Sequence, residues 1–220
     1  MLDWSFVARY APMYVQAGGL TARIASLGII FSLLVGVVCS FVQYNSIPIL
    51  RRIVGAYIEL SRNTPLLVQL FFLYFGLPKL GIHISAEGCA IIGLTFLGGS
   101  YMSEAFRSGL ETVEKSQQES AQSLGFSSIQ TLWYITFPQA LAVSVPALCA
   151  NVIFLIKETS VVSAIALADL MYVAKDLIGL YYKTDEALGM LLVAYLVLLL
   201  PLSILATLLE RRLRYAGFGT

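Results

Sequence analysis

Charged positions in this chain fall in clusters, and between the clusters lie uncharged apolar stretches at 24–42, 137–156 and 187–209, with shorter ones at 63–78 and 88–103. A helix rises about 1.5 Å per residue, so each longer stretch matches a hydrocarbon core roughly 30 Å thick. The shorter two are flanked by side chains able to snorkel: Arg62 and Lys79 at the ends of one, Glu104 and Arg107 one turn apart at the end of the other. The pattern predicts an all-α polytopic membrane protein with five transmembrane helices, organised as a single domain over residues 1–220. Segment 48–62, with Arg51, Arg52, Glu59 and Arg62, is too charged to cross. It is expected as an amphipathic cytoplasmic helix with Ile49, Ile53, Ala56 and Leu60 on one face. The first stretch exceeds the roughly 7–15-residue core of a signal peptide, has Asp3 as well as Arg9 before it and no small-residue cleavage site after it, so a retained helix is expected.

Composition agrees. The chain is 58% hydrophobic and 12% charged with a mean hydropathy of +0.81, against roughly 45–50% and about 25% in soluble domains. Disorder is excluded by the same figures. A net charge of +1 offers no basic stripe for a phosphate backbone, which excludes nucleic acid as a partner. Cys39, Cys89 and Cys149 sit apart inside apolar runs, and the lone histidine, His83, is near none of them. They read as small packing residues, and no metal site or disulfide framework is expected.

Orientation follows from the basic residues. Arg51, Arg52 and Arg62 follow the first span, Arg107 and Lys115 the third, and Arg211, Arg212 and Arg214 the fifth. Excess Lys and Arg mark the cytoplasmic side. The opposite side receives Arg9, Lys79, Lys175 and Lys183, partly offset by Asp3, Asp176, Asp185 and Glu186. The N-terminus is expected outside and the C-terminus inside.

The loop after the third span, about 108–138, is dense in local signals. Ser116-Gln-Gln-Glu119 fits a capping box and predicts a short helix starting there. Gly125 stands where a left-handed C-terminal residue is wanted. Ser127-Ser-Ile-Gln130 repeats the box, opening a second helix with Ile129, Leu132, Trp133 and Phe137 ahead of Pro138. Exposed apolar residues on such a capped hairpin need a partner; alternatively the hairpin lies on the membrane surface or packs on its own helices.

Glu119-Ser120-Ala121, three residues, Gly125, nine residues, Ile135, one residue, Phe137-Pro138 resembles the EAA signature of ABC importer permeases, with every spacing kept. Ser120 replaces an alanine and Phe137 a leucine. Glu59 to Gln69, Tyr101 to Gly109 with Glu104 and Arg107, and Lys157-Glu158-Thr159-Ser160 resemble the polar amino acid subfamily. Ser116-Gln117 departs from the Gly-Gln of that subfamily, and the likeness covers about residues 18–215. It implies a permease subunit in a bacterial cell membrane, working with a second permease, two cytoplasmic ATPase subunits and an extracytoplasmic amino-acid-binding protein, and surrounded by lipid. The hairpin would be the coupling element, with Glu119, Ala121, Leu124, Gly125, Ile129 and Trp133 docking on the ATPase. The chain has no Gly-x-x-x-x-Gly-Lys-Ser/Thr loop. No catalytic residue or cofactor of its own is therefore expected, and ATP and Mg²⁺ belong to the partner ATPases.

Polar groups inside spans are expensive and usually face a cavity or a partner. Lys157, Glu158, Thr159 and Ser160 follow the fourth span directly, Asn151 lies two turns earlier, and Asp169 follows in the outer connection. Glu158 and Asp169 are candidates to attract a substrate ammonium, Lys157 a carboxylate or an acid partner, and Thr159 to donate a hydrogen bond. The alternative is an interfacial salt bridge that fixes helix depth. Gln69 and Asn151 read as path residues or as hydrogen bonds between helices. Gly98-Gly99-Ser100 is a small-residue patch for close helix approach, and Pro146 and Pro201 are expected kinks. A competing reading is a self-sufficient proton-coupled carrier relaying through Glu104, Glu158 or Asp169. Five spans without inverted repeats, and a hairpin that would have no task, argue against it.

Overall fold

A computed structural model describes residues 2–45 and 48–217, with side chains as far as Arg212. The described residues form helices and turns without a strand. In chain order they are α1 (Trp4–Tyr44), α2 (Pro48–Arg62), α3 (Leu66–Phe71), α4 (Ala86–Thr112), α5 (Lys115–Ser123), α6 (Ser128–Thr131), α7 (Phe137–Glu158), α8 (Leu170–Tyr181) and α9 (Thr184–Gly217). A wide turn, Phe72–Gly76, and a tight one, Leu77–Leu80, prolong α3, and a wide turn, Leu132–Thr136, joins α6 to α7. Both wide turns lie just ahead of a proline, Pro78 or Pro138. The missing N–H and the clash of the ring with the preceding turn favour the longer bonds seen there, from the Leu77 and Phe137 amides to the Phe72 and Leu132 carbonyls.

Four stretches are long and apolar enough to cross a membrane: Trp4–Tyr44, Ala86–Thr112, Ser128–Ile165 and Thr184–Arg212. The stretch read at 63–78 appears as Leu66–Leu80, shorter than the ~20 residues of a straight crossing. α4 is the central helix and packs along α1 and α7. Its carbonyls receive hydroxyl and amide donors from three directions: Ser32 of α1 to Leu94 (3.2 Å), Tyr57 of α2 to Phe96 (2.7 Å), and Ser144 and Asn151 of α7 to Ala105 and Tyr101 (3.1 and 3.2 Å). The glycine patch makes this approach possible. A Cβ on Gly98 would overlap Ser32 and Leu155, and one on Gly99 would overlap Val35 and Tyr57. Around them Ile24, Leu66, Leu70, Leu94, Met102 and Leu155 close the main core.

The segment 48–62 is helical, as expected, but the face that packs is not the face foreseen. Ile49, Ile53, Ala56 and Leu60 point outward. Ile58 and Ser61 are buried, and the Ser61 hydroxyl donates to the Phe96 carbonyl (2.8 Å) and bonds the Ser100 hydroxyl (3.0 Å). Those partners lie midway along α4, so α2 does not remain peripheral. Its charges permit this, because Arg51 and Arg52 lie near its start, Arg62 at its end, and Glu59 is exposed. At Asn63–Pro65 the helix breaks, since the residue before a proline avoids helical geometry. The Gln69 amide bridges the gap, donating to the carbonyls of Ser61 (3.2 Å) and Thr64 (2.9 Å), groups that the break would leave unpaired.

Candidate functional site

α5, Gly125 and α6 form a short hairpin between α4 and α7. The Ser116–Glu119 capping box does not form. α4 ends in extended backbone at Val113, Glu114 becomes the residue before α5, and the helix starts at Lys115. Ser116 is thereby already inside the first turn, where its hydroxyl donates to the Glu114 carboxylate (3.0 Å). The second box is present: the Gln130 amide N–H donates to Ser127 Oγ (3.3 Å) and the Ser127 amide N–H to Gln130 Oε1 (2.9 Å). Between them, Gly125 has φ +91°. The Phe126 amide reaches back to the Ala121 carbonyl (3.1 Å) and the Gly125 amide to that of Gln122 (2.9 Å), a Schellman ending.

This geometry sorts the residues expected to couple. Ala121 is buried, and α5 packs against α6 and the turn Leu132–Thr136. Glu119 is exposed, and Leu124, Ile129 and Trp133 are 80%, 71% and 54% exposed. Tyr134, 70% exposed, and Phe126 extend the same apolar ridge and pack edge to face, centroids 6.5 Å apart. Sequence reasoning passed over both, although the two aromatics flank residues already singled out. The hairpin is pinned by side chains also missed: the Gln118 side-chain amide donates to the Tyr44 hydroxyl of α1 (3.1 Å), and the Gln139 side-chain amide of α7 to Gln117 Oε1 (2.7 Å).

The six residues expected on a substrate path are less concentrated. No hydrogen bond or ion pair joins any two of them among the described residues. Gln69 bridges the α2–α3 break, and its Oε1 is buried without a partner. Asn151 ties α7 to α4. Lys157 is exposed and Glu158 half-buried at the end of α7, and the buried Thr159 hydroxyl donates to the Ile156 carbonyl (2.6 Å). The turn Thr159–Ile165 packs against α3, which brings the Thr159 end of the set toward the helix carrying Gln69. Asp169 is fully buried as the cap of α8, accepting from the amides of Tyr172 (2.9 Å) and Met171 (3.3 Å). Burial pushes its carboxyl up to about 6, outweighing those amide bonds. Glu104 is held by Arg107 (3.0 Å) and lies 3.6 Å from Arg62, which also stacks over Tyr101.

The described residues thus combine apolar helices long enough to cross a membrane with a capped hairpin that exposes apolar side chains at its tip, an architecture compatible with a membrane protein that has a docking partner. Residues 24–215 match the family described as binding-protein-dependent transport system inner membrane component, and the chain belongs to it: it is a permease subunit of an ABC importer. Among its relatives, a probable glutamine ABC transporter permease of Bacillus subtilis, GlnP, is 38% identical over 159 residues, covering 72% of this chain and 73% of that one. A probable amino-acid permease of the same organism, YxeN, is 34% identical over 218 residues, covering 96% and 95%. A solved structure described as an amino acid ABC transporter with histidines superposes with a TM-score of 0.89 at 31% identity, covering 96% of this chain and 99% of the other.

Proposed function

We propose that this subunit carries a polar amino acid across a bacterial cell membrane, paired with a second permease and driven by two cytoplasmic ATPase subunits that bind ATP and Mg²⁺. An extracytoplasmic amino-acid-binding protein delivers the solute. The names of the relatives, for glutamine and other amino acids, support the cargo class. The observation that carries the coupling role is the hairpin itself. Leu124, Ile129, Trp133 and Tyr134 are exposed on a turn fixed by a Schellman ending and a capping box, an arrangement that stabilises a ridge for insertion into a groove.

In this reading there are five crossings, because α2 and Leu66–Leu80 together make one span interrupted at Asn63–Pro65. Their 15 residues each rise about 22 Å apiece, ample for one bilayer. The N-terminus lies outside, and the hairpin and the tail from Glu210 lie inside; the Arg214 side chain, part of that argument, falls outside the described residues. Glu158, Thr159, Asn151, Gln69 and Lys157 line the solute path, with Glu158 holding the ammonium. Asp169, given its capping bonds, serves the path by fixing α8.

The decisive experiment co-expresses the chain with its partner subunits. Ile129→Asp places a charge on the ridge without touching a cap, and it should release the ATPase subunits during purification while the permeases stay in the membrane. Retention of the ATPases at wild-type stoichiometry would overturn the docking role.

A further inference from the structure

A file of charged side chains runs along α4. Glu104, Arg107 and Glu111 lie within Ala86–Thr112, which is long and apolar enough to cross a membrane, and Arg62 joins them from the end of α2. Glu104 stands eight residues before Thr112, about 12 Å inside that end. The side chains of Arg62, Glu104 and Arg107 are 43%, 30% and 34% exposed. Charges exposed at such depth are too costly to leave in hydrocarbon, so this face meets a water-filled space. Its contacts lead to residues already placed on the solute path. The Arg62 guanidinium lies over the Tyr101 ring, 5.1 Å from the centroid. That ring packs on Phe154, centroids 5.2 Å apart, and the Tyr101 carbonyl accepts from Asn151 (3.2 Å). Phe154 is one turn before Glu158 on α7.

The four charges are unequally held. Both Glu104 carboxylate oxygens are taken by Arg107, through Nε (3.3 Å) and Nη2 (3.0 Å), and Arg107 Nη1 also donates to Glu111 (2.8 Å). Arg62 approaches Glu104 only at 3.6 Å, too long for a hydrogen bond. Its other described contact is Tyr101, a ring face that steadies a guanidinium without using its N–H donors. Glu104 therefore stays paired when Arg62 leaves, and Arg62 keeps the fork of donors that matches a carboxylate. We propose that Arg62 takes the carboxylate of the solute in the inner part of the path, exchanging its contact with Glu104 for it. The assignment rests on the amino-acid permease reading above. Leu155 of α7 meets Gly98 of the antiparallel α4, so Glu158 comes level with Thr95, roughly nine residue steps or about 13 Å from Glu104. The ammonium and carboxylate of one amino acid cannot bridge that distance. The two residues thus act in turn, Glu158 on the ammonium and then Arg62 on the carboxylate.

The full transporter with its receptor is reconstituted in proteoliposomes and offered a mixture of the standard amino acids, and imported solutes are identified and timed by mass spectrometry. Arg62→Gln should lower the maximal uptake rate about 10-fold or more, the loss of one charge-assisted hydrogen bond, with receptor affinity and membrane abundance as in wild type. Arg62→Lys should recover part of the rate, because it restores the charge but not the fork. Glu104→Gln removes the charge contact between α2 and α4 while leaving Arg62 in place, and should cost much less than Arg62→Gln. A role confined to tying α2 to α4 requires equal losses in those two variants. Equal losses overturn the proposal, as does full uptake by Arg62→Gln. A cysteine at Arg62 should react with a charged, impermeant thiol reagent in the assembled transporter; no reaction from either side would place this face out of water and also overturn it. If the wild type imports no amino acid, the permease reading fails with it; if the wild type imports and Arg62→Gln matches it, only the role of Arg62 falls.

Discussion

Replacement of Gly125 isolates the backbone of the coupling hairpin from its side chains. An added Cβ at this position meets nothing within 4 Å, so steric overlap with neighbours does not enter. What remains is φ +91°, a conformation that only glycine adopts freely. An L-residue forced into left-handed backbone costs about 1–2 kcal/mol, equivalent to roughly a 5–30-fold loss in the population of the correct turn. Asparagine tolerates such backbone better than alanine, and a β-branched residue tolerates it least. The series Gly125→Asn, Gly125→Ala and Gly125→Val should therefore lower the ratio of uptake to ATP hydrolysis in that order, at unchanged membrane abundance. The assay is uptake and phosphate release from the same proteoliposomes containing the full complex. Wild-type coupling in Gly125→Val would falsify the claim that this turn holds the dock. Equal losses in all three variants would instead place the effect in side-chain contacts that the open surroundings do not provide.

Three further outcomes are expected. In intact cells, a cysteine introduced at Ser5 should label with an impermeant reagent and one at Ser127 should not; the reverse pattern refutes the orientation. For Asp169, the folded-state carboxyl is raised from the ordinary 3.8 to about 6, so the folded state binds the proton more tightly. Stability should then fall as pH rises between about 4 and 6. Asp169→Asn keeps a cap oxygen and removes the buried charge, so its thermal midpoint in detergent should exceed wild type at pH above 6, with a flatter profile below; an unchanged pH profile counts against the buried charge. Glu158→Gln should reduce uptake and substrate-stimulated ATP hydrolysis while leaving solute affinity for the separate receptor unchanged, and undiminished uptake at limiting substrate would make Glu158 an interfacial anchor.

Short-range chemistry was the legible part of this protein. The Ser127–Gln130 box and the left-handed Gly125 each depend on atoms within a few residues, and both appear as expected. The Ser116 box failed because its register is set elsewhere: extended backbone at Val113 and Glu114 starts α5 at Lys115. Periodicity located the long apolar helices but not which face of α2 turns inward. Both its faces hold apolar residues, and the choice is made by Tyr57 and Ser61 finding carbonyl and hydroxyl partners on α4. Gln69 shows the same limit. An amide in an apolar stretch signals a polar demand, but that the demand is a broken helix end eight residues earlier, at Ser61, emerges only once Pro65 has interrupted the span.

These tertiary bonds also say how the hairpin is connected to the membrane core. Its legs continue into α4 and α7, which are joined to each other by Asn151 to Tyr101 and Ser144 to Ala105. A side chain wedged at the contact between them, or a hairpin displaced by its partner, therefore acts on both helices together, since interiors packed this tightly transmit displacement rather than absorb it. α1 is drawn in through the Tyr44–Gln118 bond and the Ser32–Leu94 bond. α2 and α3 differ. α2 meets α4 through Tyr57, Ser61 and the Arg62–Glu104 pair, and α3 meets it through Leu66 and Leu70 packed at Gly93, but the break at Asn63–Pro65 interrupts helical hydrogen bonding between them. Rotation at that break needs no helix to melt, because its open carbonyls are already held by one flexible amide, Gln69. The break is accordingly a place where α2 and α3 can reorient relative to each other without melting either helix.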